Sequence, residues 1–121
     1  MAKRTRILVV DDDPALLRSL GELLRLEGFD VETASDGERA LQLHQARGFD
    51  VVLTDLFMDG IEGIETVSAF KKKSPPVRVI AMSGGGDVAT GSYLDAARQV
   101  GADAILVKPF GIEELKRAIA G

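Results

Sequence analysis

The chain has 121 residues, 45% of them hydrophobic and 28% charged, with a formal net charge of −4. That describes one ordinary domain able to build a core, too apolar to be disordered and too acidic to predict direct nucleic-acid binding. Cysteine is absent, which excludes a disulfide framework and thiolate chemistry.

The start, Met-Ala-Lys-Arg-Thr-Arg, is basic, but the apolar stretch after it runs only from Ile7 to Val10 and ends in three acids. It is neither a signal peptide nor a membrane span, so a soluble, cytoplasmic protein without a membrane partner is expected. Ile7 to Val10 predicts a first buried strand. Asp13 suits a helix N-cap and Pro14 a first helical turn. Leu16, Leu17, Leu20, Leu23 and Leu24 then recur at helical spacing, and Gly28 stops the helix. Val31 to Ala34 predicts a second strand. Asp36-Gly37 predicts a turn, and the helix after it turns Ala40, Leu41, Leu43 and Ala46 inward, with Gly48 following.

Val51 to Thr54 predicts a third strand, buried on both faces because its apolar run is nearly continuous. Gly60 and Gly63 predict a flexible loop. Ile64, Val67, Ala69 and Phe70 predict a third helix, closing on Lys71-Lys72-Lys73. Three cations there complement the macrodipole and are read as a solvated end. Pro75-Pro76 breaks the chain. Val77 to Met82 predicts a fourth strand ending at Ser83, and Gly84-Gly85-Gly86 a mobile loop. Val88 to Val100 predicts a helix with Leu94, Ala97 and Val100 on one side and Gly101 as its cap. Ala104 to Val107 predicts a fifth strand ending at Lys108-Pro109-Phe110, and Gly111 to Ala120 a last helix.

Strands alternating with helices in this way predict an α/β fold, a doubly wound five-stranded parallel sheet of the flavodoxin-like (βα)5 kind. No domain boundary or low-complexity segment interrupts it. A single domain over residues 1–121 with no output domain is expected.

The polar residues at the strand ends are misplaced for a core. Asp11-Asp12-Asp13 follow strand one, Asp55 strand three, Ser83 strand four and Lys108 strand five. Ligands of open α/β sheets bind outside the carboxyl ends of the strands, at the point where strand order reverses. With the order 2-1-3-4-5, that point lies between strands one and three. Two carboxylates ~4 Å apart repel by about 1 kcal/mol in water and about 4 kcal/mol at an effective dielectric of 20. Asp11, Asp12 and Asp55 therefore need counter-charge. Lys108 supplies one positive charge, and a divalent cation supplies the rest. An all-oxygen ligand set suits Mg²⁺ better than zinc. Asp55 is then a nucleophile forming an acyl phosphate, with Ser83 and Lys108 neutralising the transferring phosphoryl oxygens.

Val9-Val10-Asp11-Asp12-Asp13-Pro14, Thr54-Asp55-Leu56-Phe57-Met58, Glu62-Gly63, Met82-Ser83-Gly84, Gly101-Ala102 and Lys108-Pro109-Phe110 together resemble the receiver domain of bacterial two-component response regulators. They span essentially the whole chain, in the family's order and spacing. The resemblance implies that Asp55 accepts phosphate from a histidine kinase or a histidine phosphotransfer protein. It implies that Asp12, Asp55 and the backbone carbonyl of Phe57 bind Mg²⁺ directly and that Asp11 acts through water. It further implies that Ser83 and Lys108 contact the phosphoryl group and that Lys108-Pro109 is a cis peptide, a bond uncommon enough to mark a fixed turn.

Signalling would begin when Ser83 is drawn to the phosphoryl group. That movement would remodel the loop of Gly84, Gly85 and Gly86 and the surface from helix four to strand five. A downstream protein would bind there, or a second copy through helix four, strand five and helix five. One charge-assisted hydrogen bond contributes roughly 1.5–3 kcal/mol, whereas inverting a 1:99 population needs about 5.5 kcal/mol. Metal, Lys108 and a bound partner are expected to supply the rest.

Four positions depart from the family pattern. Asp59 stands where a proline is usual, which frees the backbone and adds a charge. Ile105 stands where the family's switch aromatic usually lies, so an aromatic rotation is not assumed. Phe57 and Gly85 occupy positions that often carry polar groups, which leads to the expectation of a long-lived phosphoryl group.

Several residues have plainer readings. His44 is read as a surface residue, Tyr93 as packing or surface, and Asp13 as an N-cap in preference to a metal ligand. The glycine triplet is not read as a nucleotide cradle, because that cradle follows strand one, where three acids would repel a bare phosphate. Beyond a phosphorylation switch that is not otherwise an enzyme, two classes remain. One is a pseudo-receiver docking module, which would normally have lost an acid, the hydroxyl or the lysine. The other is a haloacid-dehalogenase-like phosphatase, suggested by Asp11-x-Asp13 and opposed by Pro14 and the short chain.

Overall fold

A computed structural model describes residues 4–56, 62–72, 77–84 and 90–121, without the side chains of 62 and 90–94. Strands and helices alternate: β1 (Arg6–Val10), α1 (Pro14–Leu26), β2 (Asp30–Ala34), α2 (Gly37–Arg47), β3 (Val51–Asp55), α3 (Glu62–Lys72), β4 (Arg78–Gly84), α4 (Thr90–Gln99), β5 (Ala104–Lys108) and α5 (Ile112–Ala120). The strands form one parallel sheet in the order β2-β1-β3-β4-β5. Both the alternation and the strand order agree with the expected (βα)5 sheet.

The apolar runs are near-continuous because each strand feeds two cores. On β1, Leu8 and Val10 face one cluster with Leu43, Val67 and Phe70, while Ile7 and Val9 face the other with Leu20, Leu24 and Leu115. Alternate side chains of a strand point to opposite faces, so helices must cover both. Here α2, α3 and α4 cover the first face and α1 and α5 the second.

Local signals explain the helix starts. The Asp13 carboxylate accepts from the N–H groups of Ala15 at 3.0 Å and Leu16 at 3.4 Å, and Pro14 opens α1. Asp36 caps α2 by accepting from the Arg39 N–H at 2.7 Å. Gly48 ends α2 at φ +73°, a left-handed conformation that costs glycine nothing.

Four sequence expectations need correction. His44 is buried, not a surface residue: its ring sits 5.4 Å from Phe70 and 6.2 Å from Phe49, centroid to centroid. Ala46 is exposed, so His44 takes the inward place the helical spacing assigned to it. Lys71 is not a solvated end, because Nζ donates to Val77 O at 3.0 Å and to Asp103 Oδ2 at 2.8 Å. Gly63 is not in a loop; it is buried in the first turn of α3. Phe57, Asp59, Gly60, Lys73, Pro75, Pro76, Gly85, Gly86 and Val88, and the side chains of Tyr93 and Leu94, for which the sequence also carries expectations, lie outside the described residues.

Candidate functional site

The register of the sheet brings the polar strand ends together. Val10 pairs with Thr54, Asp55 with Met82, and Gly84 with Lys108. Asp11 and Asp55, each one step beyond that first pair, therefore emerge side by side from β1 and β3. One carboxylate oxygen each of Asp11, Asp12 and Asp55 lies within 4.8 Å of the other two. Asp11 and Asp55 are buried, at 1% and 6% exposure, and Asp12 is exposed.

Two partners orient Asp11. Its Oδ1 accepts from the Asp13 N–H at 3.0 Å, and its Oδ2 meets Lys108 Nζ at 3.1 Å. The same Nζ lies 3.6 Å from Asp55 Oδ2. Lys108 reaches the acids from the far end of β5, and the peptide it shares with Pro109 is cis. Among the described residues, three carboxylates thus face one ammonium, an excess of two negative charges in a largely buried crevice. The excess matches a divalent cation, and the donors are all oxygen, which fits a hard ion such as Mg²⁺.

Ser83 completes the cluster of strand ends. It is fully buried, one residue beyond the pair Asp55–Met82, and its Oγ has no hydrogen-bond partner among the described residues. A buried hydroxyl left without a partner costs roughly 1–3 kcal/mol, so such a group calls for a functional explanation. An incoming anion at Asp55 would supply its acceptor.

The sequence pattern of the response regulator receiver domain is matched by residues 7–120. The chain belongs to that family. Over 112 residues it is 40% identical to transcriptional regulatory protein PrrA of Mycobacterium tuberculosis, covering 91% of this chain and 46% of the relative. Over 119 residues it is 37% identical to transcriptional regulatory protein GlrR of Escherichia coli, covering 97% of this chain and 26% of the relative. The solved CheY-like receiver domain protein of Methanospirillum hungatei superposes with a TM-score of 0.85 at 29% identity, over 98% of this chain and 95% of that one. The chain therefore spans between about a quarter and a half of the length of these curated relatives.

Within this receiver fold, Asp11, Asp12, Asp55 and Lys108 lie in one crevice. Ser83 and Gly84 end β4, and Pro109 follows Lys108 directly. Ile105 is partly buried against the core, next to Ala81 in the sheet. The predicted metal carbonyl of Phe57 and the loop residue Gly85 lie outside the described residues. Sequence reasoning placed Gly63 in a loop and gave Leu56 no structural role beyond the family match, yet Gly63 lies against the backbone of Leu56, the residue that follows Asp55. The available signal was Gly63 itself, a poor helix former placed at the start of an apolar helical pattern.

Proposed function

We propose that the chain is a phosphorylation-dependent signalling switch whose acceptor is Asp55. The carrying observation is the convergence of Asp55, two further acids and Lys108 in one crevice, with the buried hydroxyl of Ser83, which lacks a partner among the described residues, at the end of the neighbouring strand. A carboxylate oxygen of Asp55 attacks the phosphorus of a phosphohistidine. The new P–O bond forms as the P–N bond breaks, and the imidazole leaves with its electron pair and takes up a proton. The donor is a histidine kinase or a histidine phosphotransfer protein.

Asp11, Asp12 and Asp55, with the backbone carbonyl of Phe57, would hold Mg²⁺, Asp11 acting through water. Bound there, Mg²⁺ supplies charge neutralisation for the incoming phosphoryl oxygens. Lys108 Nζ, already 3.6 Å from Asp55 Oδ2, donates to one phosphoryl oxygen, and the Ser83 hydroxyl to another. Loss of phosphate by hydrolysis completes the cycle, and no other turnover is proposed. Ser83, Gly84 and Gly85 then transmit the change toward Ile105 and the face of α4, β5 and α5. β5 is a sheet edge with Val107 46% exposed, which supports that face as the place for a downstream protein or a second copy of the chain. The chain is one receiver domain over residues 1–121 and binds no nucleic acid itself. No helix among the described residues is long and apolar enough to cross a membrane, which supports action in the cytoplasm.

Beryllofluoride with Mg²⁺ tests the assignment as an aspartyl-phosphate mimic. Amide resonances of Asp55, Ser83 and Lys108 should shift in the wild type and stay still in Asp55→Asn. A wild type that does not respond would leave a phosphorylation-independent docking module.

A further inference from the structure

Gly63 occupies the first turn of α3 with no conformational reason to be glycine: it is absent from the positive-φ positions among the described residues. Helix propensity alone favours alanine there. The reason lies in what it touches. A Cβ at 63 would overlap the carbonyl group and Cα of Leu56. Those are backbone atoms, which cannot turn aside as a side chain could.

Leu56 is placed to pass on any displacement. It follows Asp55 directly, and its N–H donates to the carbonyl of Met82 at 2.9 Å. Met82 in turn precedes Ser83. The Leu56 side chain is fully buried in the first core cluster, so Leu56 cannot yield outward. One backbone segment therefore ties α3 through Gly63, β3 through Asp55 and β4 through Met82.

We propose that Gly63 is a positioning residue for phosphoryl transfer. Its missing side chain lets α3 seat on the Leu56 backbone, and that seat holds Asp55 and Ser83 at the spacing the reaction needs. The inference rests on Asp55 being the phosphoacceptor. A misplacement of ~1 Å at a reacting group can cost on the order of 100-fold in rate. A methyl at 63 should act through this seat and not through the helix it stands in.

The test compares Gly63→Ala with Leu43→Ala, a core truncation in α2 remote from the acids, using the full chain. Both are assayed for melting temperature and for phosphorylation by acetyl phosphate at saturating Mg²⁺. Gly63→Ala should be slower than wild type by about 10- to 100-fold, while Leu43→Ala keeps a near-wild-type rate despite its own loss of stability. A Gly63→Ala protein as fast as wild type, or a Leu43→Ala protein equally slowed, overturns the proposal. Should Gly63→Ala not fold, the wild type answers instead: its Gly63 amide resonance should move with those of Leu56 and Ser83 on adding beryllofluoride and Mg²⁺. A Gly63 amide that stays still while the other two move overturns the proposal. A wild type that accepts no phosphate removes the Asp55 assignment itself, a result distinct from either.

Discussion

Asp11 and His44 are both buried polar side chains, held in different ways. Asp11 divides its two oxygens between a backbone N–H and Lys108, so its charge stays compensated. Among the described residues, His44 forms no ion pair. Its Nδ1 accepts from the Phe49 N–H at 3.1 Å, which requires a neutral ring with that nitrogen unprotonated. Burial lowers its pKa below the usual histidine value. The neighbouring charges are Arg6, whose guanidinium lies 5.2 Å above the Phe49 ring and donates to Arg47 O, and Asp50, which holds the Arg6 N–H. The folded pKa lies below the unfolded one, so the stabilisation is complete above the unfolded pKa of about 6.5. It is lost as pH falls through the folded pKa. His44→Asn keeps an acceptor but cannot titrate. Denaturant melts at a series of pH values should show wild type losing stability relative to His44→Asn as pH falls below about 6.5. Parallel curves would refute that linkage. The acids were legible in the sequence because carboxylates at the ends of apolar strands are costly anywhere. His44 was not, because its burial depends on Phe49 and Phe70 arriving from other elements.

At the scale of elements, the end of the sheet opposite the acids is closed by a polar clasp. Lys71 at the end of α3 bonds Val77 O and Asp103, and the Asp103 carboxylate also accepts from the Val79 N–H at 2.8 Å. Burial by itself raises the Asp103 pKa, but the bonds from Lys71 and Val79 outweigh it and hold the carboxyl below its usual range. One aspartate thus joins α3, β4 and the entry to β5. Asp103→Ala leaves a donor on Lys71 and one on Val79 without their acceptor. It should destabilise the fold by about 1–2 kcal/mol, the lower part of the range for charged hydrogen bonds because both side chains are partly exposed. Thermal melts measure this, and an unchanged melting temperature would refute it. The element boundaries followed from caps and breakers. Asp13, Pro14, Gly28, Gly48 and Gly101 act within a few residues of where they stand. Lys71 misled because a cation at a helix end suits the macrodipole whether or not it also finds Asp103 across the sheet.

For the whole molecule, the site sets stability against function. Asp12 is exposed yet adds a third carboxylate to a cluster that, among the described residues, meets a single ammonium. Without metal, Asp12→Ala should raise stability by about 1 kcal/mol through relieved repulsion. With Mg²⁺ at about 100 times its dissociation constant, wild type should gain about 2.7 kcal/mol by linkage, and Asp12→Ala far less. Melting curves in chelator and in Mg²⁺ read both arms. A variant that is less stable in chelator, or that responds fully to Mg²⁺, would refute the account. The sequence by itself determined the alternation of strands and helices, the caps, and which polar residues were too costly for a core, because periodicity, capping and charge burial act locally. The tertiary structure alone decided the burial of His44, the capture of Lys71 and the seat of Gly63 on Leu56. Each of these depends on distances between elements that are far apart in the chain, and neither propensity nor spacing encodes such distances.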